Sequence, residues 1–273
     1  MALITLVSAK GSPGVTTTAL MLAAVWRRRV LVAECDPAGG DVTAGYFGGA
    51  AEPAGGVLAV ASKLRRGIDA EDFFAHALPL DQARQRWVLP GFNDPAQAAG
   101  LAAQWGAFAE GCEVLNRQGI DVIADCGRMQ AAHPPMELVR RADAVGLVVR
   151  PTLVGLRASY QWVAALRAEM AEAARRHPRL QLIVVGEMGA IGSVNLARLL
   201  DIPLAGVVTW DPRCAKYFSD GQQPPRGLWR SAPLRDIRVV ADRFDQATVL
   251  VRARPRGPDT PHPQAAGAAY RER

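Results

Sequence analysis

A turn near the start of the sequence has the residue types of a phosphate-binding loop. Such loops read GxxxxGK[ST]: backbone N–H groups and the helix N-terminus hold phosphate, the lysine reaches the outer phosphates, and the hydroxyl ligates Mg²⁺. The corresponding window, residues 9–16, follows an apolar run, precedes a helical pattern, and retains Gly14 and Thr16. Alanine replaces the first glycine, Val15 occupies the lysine position, and Lys10 stands earlier in the loop. By the general pattern alone this is a weak match.

Two carboxylates stand at the ends of apolar segments. Asp36 follows the run at residues 30–34, and Asp125 ends the segment that begins at Asp121. Taken by themselves, both could be ordinary strand-end carboxylates that cap the turns after them. Residues 10–14 could likewise form only a tight turn between a strand and a helix. The residues alone leave these alternatives open.

Short apolar segments alternate with helical patterns along the chain. Such strands are typical of a parallel sheet covered by helices on both faces. We therefore expect an α/β fold with a doubly wound, mostly parallel sheet. A single domain is expected over residues 1–250, followed by a disordered basic tail rich in Pro and Gly at 251–273. Strands are predicted at 3–7, 30–34, 87–89, 121–125, 144–149, 180–185 and 204–208. Helices are predicted directly after the loop and at 58–64, 70–77, 94–117, 135–141, 152–176, 194–200 and 234–249.

Three of the predicted helices have informative patterns. Asp94 is expected to cap the helix at 94–117, with Pro95 at its first helical position. Its predicted buried face consists of Leu101, Trp105, Phe108, Cys112 and Leu115. The helix at 152–176 carries, at helical spacing, Leu156, Tyr160, Val163, Leu166 and Met170. The last helix has one apolar side, which could bind a membrane surface, although packing on the sheet is the commoner fate of such a helix. That side consists of Leu234, Ile237, Val240, Ala241 and Phe244.

The loop resembles the deviant Walker-A loop of the ParA/MinD family of ATPases, which reads KGGxGKTT. Five residues match this pattern: Lys10, Gly11, Gly14, Thr16 and Thr17. Ser12 and Val15 depart from it. The resemblance continues at residues 34–37, which are similar to the family's DxDP segment, and at residues 202–212, which are similar to GIPxLGVIPxD. Residues 2–245 follow the family's order of elements.

The resemblance implies a site for ATP and Mg²⁺ between the subunits of a homodimer. Lys10 would contact the partner's phosphates and Asp36 would position the attacking water, so these are the expected catalytic residues. Thr16 and Asp125 would hold Mg²⁺, and Glu34 would replace the first carboxylate of DxDP. The implied nucleotide-binding set is Lys10, Gly11, Ser12, Gly14, Val15, Thr16, Thr17, Asp211 and Pro212.

The departures from the family pattern imply a weakened site. Loss of one charge-assisted hydrogen bond costs about 1.5–3 kcal/mol. Val15 cannot make such a bond, and Pro13 removes a backbone donor from the loop. We therefore expect weak binding of ATP and at most weak ATPase activity, because the missing cation would also stabilise charge in the transition state.

The composition and hydropathy of the sequence indicate where the protein is located and what it could bind. No apolar run approaches the roughly 18–20 residues of a membrane span, and the sequence opens on a strand pattern rather than a charged leader. We therefore expect a cytoplasmic protein, with peripheral association with a membrane or the nucleoid left open. The four cysteines are widely spaced and are expected to be free thiols. The net charge of +6 permits binding to DNA or anionic lipid without requiring it. Paired arginines at 27–28, 65–66, 140–141 and 175–176 are interpreted as solvated helix ends rather than a DNA groove.

Three functions fit these observations. The first is a nucleotide-dependent spatial organiser of the ParA/MinD type that positions a protein partner. Its degenerate loop most resembles the CpaE/TadZ branch, which places pilus or secretion machinery; we expect that branch's receiver-like N-terminal domain to be missing here. The second is a DNA partition ATPase whose arginines grip non-specific DNA. The third is a pseudo-ATPase scaffold with no dependence on nucleotide.

Overall fold

The fold is built on one eight-stranded sheet. The computed structural model describes residues 2–11, 13–51, 55–94, 96–172, 179–186 and 189–252. The strands are β1 (Leu3–Ser8), β2 (Arg29–Glu34), β3 (Leu78–Pro79), β4 (Arg86–Leu89), β5 (Ile120–Arg128), β6 (Ala144–Val149), β7 (Arg179–Val185) and β8 (Leu204–Val208). Their order across the sheet is β3-β4-β2-β5-β1-β6-β7-β8. All neighbouring pairs are parallel except β3 and β4, so the doubly wound, mostly parallel α/β sheet expected from the sequence is confirmed.

Helices cover both faces of this sheet. They are α1 (Val15–Val25), α2 (Gly56–Lys63), α3 (Ala70–Ala75), α4 (Ala96–Leu101), α5 (Trp105–Arg117), α6 (Met136–Arg141), α7 (Leu153–Glu172), α8 (Ser193–Leu200), α9 (Pro212–Asp220) and α10 (Ala232–Arg252). Short 3-10 turns lie at Leu64–Arg66, Ala102–Gln104 and Leu228–Arg230. The apolar residues of α1, α9 and α10 form one core layer, and those of α2 to α8 form the other.

Strand β1 lies at the centre of the sheet, between β5 and β6. Its side chains alternate between the two core layers, with Ile4 and Leu6 facing α1 and with Leu3 and Val7 facing the other layer. Because the neighbouring strands are parallel, the loops after β2, β5, β1 and β6 all leave the same edge of the sheet. This carboxyl edge is where open α/β sheets bind ligands.

The C-terminal helix packs on the sheet. Leu234, Ile237, Val240 and Phe244 of α10 are completely buried, and the helix contacts β8 and α1. Burying one such side chain stabilises the fold by about 1.5–3 kcal/mol. This confirms packing on the sheet as the role of this apolar side, rather than binding to a membrane. Within the described residues, no helix is long and apolar enough to cross a membrane.

Some local predictions need correction. The predicted helix at 94–117 is interrupted by the 3-10 turn at Ala102–Gln104, just after Gly100, whose low helix propensity weakens a helix interior. Its five predicted core residues are all buried, and the Asp94 carboxylate accepts a hydrogen bond from the N–H of Ala96 at 2.9 Å. Tyr160 of α7 is 62% exposed, although helical spacing aligns it with buried Val163 and Leu166. Helix α9 was missed except for its starting pair, Asp211 and Pro212.

Several predictions concern residues outside the described part of the chain. These are the helical position of Pro95, residues 175–177, the side chain of Met170, and the tail beyond residue 252.

A buried carboxylate ties the opposite edge of the sheet together. Asp121, at the start of β5, accepts hydrogen bonds from the N–H of Ala2 at 2.5 Å and from the indole Nε1 of Trp26 at 2.8 Å. It also accepts one from Nε of Arg28 at 2.6 Å, and Arg28 in turn pairs with Asp245 of α10. Burial opposes the Arg28 charge, yet the two carboxylates raise the pKa of its guanidinium above the usual value. One side chain thereby joins β5 to the residue before β1, to the C-cap of α1 and to the residue before β2.

Candidate functional site

The loop after β1 leads directly into the first turn of α1. Gly14 is the N-cap of α1 and has φ 95°, a left-handed conformation that glycine adopts without strain. No side chain caps the helix, so the first-turn N–H groups have no partner from a capping residue. The hydroxyl of Thr18 donates to the carbonyl of Gly14 at 2.7 Å, which fixes the turn from inside. An open helix N-terminus with free amides is suited to hold an anion.

Thr16 and Asp125 meet at the base of this loop. The Thr16 hydroxyl donates a hydrogen bond to the Asp125 carboxylate, and the N–H of Gly127 donates to Asp125 Oδ1 at 3.0 Å. Asp125 is almost completely buried, and this desolvation raises the pKa of its carboxyl to about 7 despite the bond from Thr16. The negative charge of Asp36 adds to the rise. The structure therefore places two oxygen ligands of the kind that Mg²⁺ prefers side by side.

The Asp36 carboxylate lies against the same turn. It accepts hydrogen bonds from the N–H of Ala38 at 2.8 Å and from the N–H of Arg128. Gly127 has φ 59°, and a Cβ atom there would lie 1.9 Å from Asp36 Oδ2. Burial raises the pKa of Asp36 above its usual value. Asp36 and Asp125 do cap the turns that follow them, as the simpler interpretation held, and they do so next to each other and to Thr16.

The donor set fits a magnesium ion bound together with phosphate. Among the described residues, no group of three or more His, Cys, Asp or Glu side chains could hold a metal ion by itself. Magnesium sites in nucleotide-binding proteins use one or two protein oxygens and complete the octahedron with phosphate and water. Thr16 and Asp125 are such a pair. The four cysteines are buried and free, as expected, and take no part in the site.

Glu34 joins the loop after β2 to the loop after β4. Its Oε1 accepts hydrogen bonds from the N–H groups of Asp41 and Val42, both at 3.0 Å, and its Oε2 accepts one from the N–H of Gly91 at 3.0 Å. Gly40 and Gly91 pack closely around this carboxylate, since a Cβ on Gly40 would lie 2.9 Å from Glu34 Oε2. Burial raises the pKa of Glu34 to about 7, although the three backbone donors oppose this. Glu34 therefore shapes the wall of the site rather than facing into it.

This raised pKa has a consequence for stability. Between the ordinary pKa of 4.5 and the folded-state pKa of about 7, the folded protein keeps a proton that the unfolded chain releases. The free energy of unfolding should therefore fall by about 3 kcal/mol as the pH rises from about 5 to about 8. Asp125 adds a fall in the same range of pH. Glu34→Gln should flatten the slope, because an amide does not titrate.

Urea denaturation at several pH values measures this effect. Glu113→Gln serves as the matched control, because Glu113 is exposed on α5 and its replacement should leave the slope unchanged. Equal slopes for the wild type and Glu34→Gln would contradict the assignment.

A cleft extends from the loop toward the end of β8. Gly14 and Thr17 line one side, and Trp210, Asp211 and Cys214 line the other. Asp211 N-caps α9 by accepting hydrogen bonds from the N–H groups of Arg213 and Cys214, and Pro212 occupies the first turn. The predicted residues at 211–212 thus lie beside the loop, with the Asp211 carboxylate committed to its cap. The free volume of this cleft is about 30 Å³, about the space of one water molecule, so a planar base would enter beside Trp210 only if the surrounding side chains moved apart.

The other predicted site residues differ in exposure. Lys10 and Gly11 are exposed at the tip of the loop, and Ser12 lies outside the described residues. Val15 is only 6% exposed and packs in the core layer that contains α1. Its side chain is therefore part of the hydrophobic core, and only its backbone is available to a phosphate. The side chain at the usual lysine position is therefore uncharged, and it is also buried in the core.

Two arginines that the sequence analysis did not single out lie at the same edge. Arg128 ends β5 and Arg150 directly follows β6, so they flank the loop on both sides. The guanidinium of Arg150 lies over the ring of Trp210, 5.1 Å from its centroid. The signal that could have found them is simple: each arginine stands at the carboxyl end of an apolar strand.

Comparisons with known proteins identify the fold. The chain is similar to the solved structure of the MinD cell division protein of Aquifex aeolicus, with 16% identity and a TM-score of 0.62 over 90% of this chain and 98% of that one. A ParA family ATPase from Chlorobium tepidum TLS has 15% identity and a TM-score of 0.70, covering 89% and 97%. MinD complexed with Mg-ADP from Pyrococcus horikoshii OT3 has 18% identity and a TM-score of 0.67, covering 90% and 97%. No protein-family model matches the sequence, and no curated protein does. At these identities the likeness shows the fold, which is that of the MinD and ParA P-loop ATPases.

Proposed function

We propose that this chain binds ATP with Mg²⁺ at the carboxyl edge of β1 and acts as a nucleotide-dependent spatial organiser of the ParA/MinD type. The observation that carries the proposal is the meeting of Thr16, Asp125 and Asp36 beneath an uncapped helix N-terminus. Thr16 and Asp125 would hold Mg²⁺, the first-turn amides would hold the phosphates, and Asp36 would orient a water. The Mg-ADP and ParA-family neighbours support the same reading of the fold.

The missing lysine sets the expected strength of binding. A charge-assisted hydrogen bond is worth about 1.5–3 kcal/mol, and its loss weakens binding by about ten- to a hundred-fold. We therefore propose micromolar rather than tighter affinity for ATP, and slow hydrolysis at most. Lys10 is exposed and makes no ion pair or hydrogen bond within the part of the chain that the structure describes. It is thus available to a second copy, in keeping with a homodimer that encloses the nucleotide.

Calorimetric titration with ATP and Mg²⁺ tests the proposal. We expect saturable binding by the wild type and a loss of at least about tenfold in Thr16→Ala, because the metal loses its hydroxyl ligand. Lys10→Ala should weaken binding only under conditions where the dimer forms, which sedimentation with and without ATP will show. Thr43→Ala, on the loop after β2, is a control at a residue outside the proposed site. No heat of binding by the wild type at millimolar ATP would favour the pseudo-ATPase scaffold instead.

The partner is a finer proposal. We propose that the nucleotide-bound form positions pilus or secretion machinery, as in the CpaE/TadZ branch, because the buried Val15 makes the loop degenerate in the manner of that branch. A pull-down that recovers only chromosomal DNA would count against it. DNA partition is less well supported, since Arg27, Arg28, Arg140 and Arg141 are all engaged by carboxylates of the same chain. ATP-dependent retention of the protein on DNA at low salt would instead support DNA partition.

A further inference from the structure

The backbone around Arg128 is fixed beside the start of the phosphate-binding loop. In the pairing of β1 with β5, Arg128 stands level with Ser8, the last residue before the loop. The N–H of Met129 donates to the carbonyl of Ser8 at 2.9 Å, and the Ser8 hydroxyl donates to the carbonyl of Gly127 at 3.3 Å. These bonds hold the residues on either side of Arg128 against the end of β1.

Arg128 is also joined to Asp36. Its N–H donates to the Asp36 carboxylate, and its positive charge is close enough to favour the ionised form of that carboxylate. The Arg128 side chain is exposed and makes no ion pair or hydrogen bond with any residue that the structure describes. A fixed backbone with a free guanidinium is an arrangement in which a cation can turn toward a ligand without breaking an existing bond.

A triphosphate bound in this site would need a cation that the loop does not supply. Val15 is buried in the core, so nothing on α1 replaces the usual lysine. Arg150 follows β6, which lies on the other side of β1 from β2 and Asp36, and its guanidinium lies over Trp210. Lys10 is exposed at the tip of the loop. Arginine binds phosphate oxygens through two parallel N–H bonds and is always charged. Since Asp36 is the proposed water-orienting residue, a group beside it would lie next to the outermost phosphate of a bound ATP.

We propose that Arg128 contacts the terminal phosphate of ATP and replaces, from the end of β5 in the same subunit, the cation that the loop lacks. This inference rests on the proposed function, because it requires ATP to occupy the loop. It makes Arg128 a nucleotide-contacting residue that distinguishes ATP from ADP. It also explains how the site could bind ATP without the usual lysine of the loop.

Calorimetric titrations of ATP and ADP, each with Mg²⁺, test the inference in wild type, Arg128→Ala and Arg128→Lys. We expect Arg128→Ala to lose about ten- to a hundred-fold in affinity for ATP, with little change for ADP. Arg128→Lys should keep part of the ATP affinity, because it retains the charge but not the two parallel bonds. Arg117→Ala is the matched control: it removes the same charge from an exposed residue at the opposite edge of the sheet, just before β5 begins. Circular dichroism will verify that each variant is folded.

The outcomes separate the two proposals. If the wild type binds ATP and Arg128→Ala binds it equally well, the inference is overturned while the proposed function stands. Equal losses for ATP and ADP, or an equal loss in Arg117→Ala, would also overturn it, since they would indicate a general effect of charge. If the wild type binds neither nucleotide, the proposed function itself fails.

Discussion

Replacing Asp121 with alanine should lower the free energy of unfolding by about 2–6 kcal/mol, about 1–3 kcal/mol for each of the two buried N–H donors that it leaves unsatisfied. The side chain is completely buried and accepts from Ala2, Trp26 and Arg28. Without it, two buried N–H donors and one arginine lose their acceptor, and each unsatisfied group costs free energy. Urea denaturation followed by circular dichroism measures the change.

Asp242→Ala is the matched control for this prediction. It breaks the ion pair between Arg27 and Asp242, whose side chains are 76% and 48% exposed. Exposed pairs of this kind contribute about 0–1 kcal/mol. Comparable losses of unfolding free energy in Asp121→Ala and Asp242→Ala would show that the hydrogen bonds to Asp121 do not hold this edge of the sheet together.

Gly127→Ala should lower the free energy of unfolding by a similar amount, and it should also disturb the proposed site. A Cβ atom at Gly127 would lie 1.9 Å from Oδ2 and 2.0 Å from Cγ of Asp36, so the carboxylate must move. The residue also has φ 59°, which is unfavourable for alanine. Together we expect a loss of about 3–5 kcal/mol in stability. We also expect loss of detectable ATP binding by calorimetry in protein that remains folded.

Gly227→Ala separates the two causes. Gly227 has φ 73° and ψ 18°, a left-handed conformation, but an added Cβ would meet nothing within 4 Å. Its replacement should therefore cost only the backbone strain, about 1–2 kcal/mol, and should leave nucleotide binding intact. If Gly127→Ala behaved like Gly227→Ala in both measurements, Asp36 would not be held where the structure places it.

The parts of this protein that were predictable from sequence are those with local signals. The strands at 144–149 and 204–208 are continuous apolar runs, the first bounded by Asp143 and Arg150 and the second by Pro203 and Thr209, and their observed bounds agree with prediction. Thr16 and Asp125 could be paired in advance only through a resemblance, because 109 positions separate them in the sequence. The structure brings them together because β1 and β5 are neighbours in the sheet.

Other features had no local signal. In the sequence, Glu34 occupies the position of a family carboxylate. Only its hydrogen bond from Gly91, in the loop after β4, shows that it holds two loops together. In the sequence, Val15 occupies the position of a lysine in a loop, and only its burial at the start of α1 shows that it belongs to the core. The helical spacing of Tyr160 predicts burial, yet the folded structure leaves 62% of this residue exposed. In each case the tertiary surroundings of the residue, which the local sequence does not record, decide its role.

In the proposed site, the glycine turn, the Thr16 hydroxyl and the Asp36 and Asp125 carboxylates lie together, while Val15 at the usual lysine position belongs to the hydrophobic core. We propose that such a site binds nucleotide and hydrolyses it slowly, because the loop itself supplies no cation to the transferred phosphate.

The most direct measurement is a crystal structure of the protein grown with Mg²⁺ and a non-hydrolysable ATP analogue. Our account predicts phosphates bound by the first-turn amides of α1 and Mg²⁺ between Thr16 and Asp125. It also predicts the base in the cleft beside Trp210. A loop closed against the nucleotide, or an analogue bound elsewhere at saturating concentration, would contradict the account.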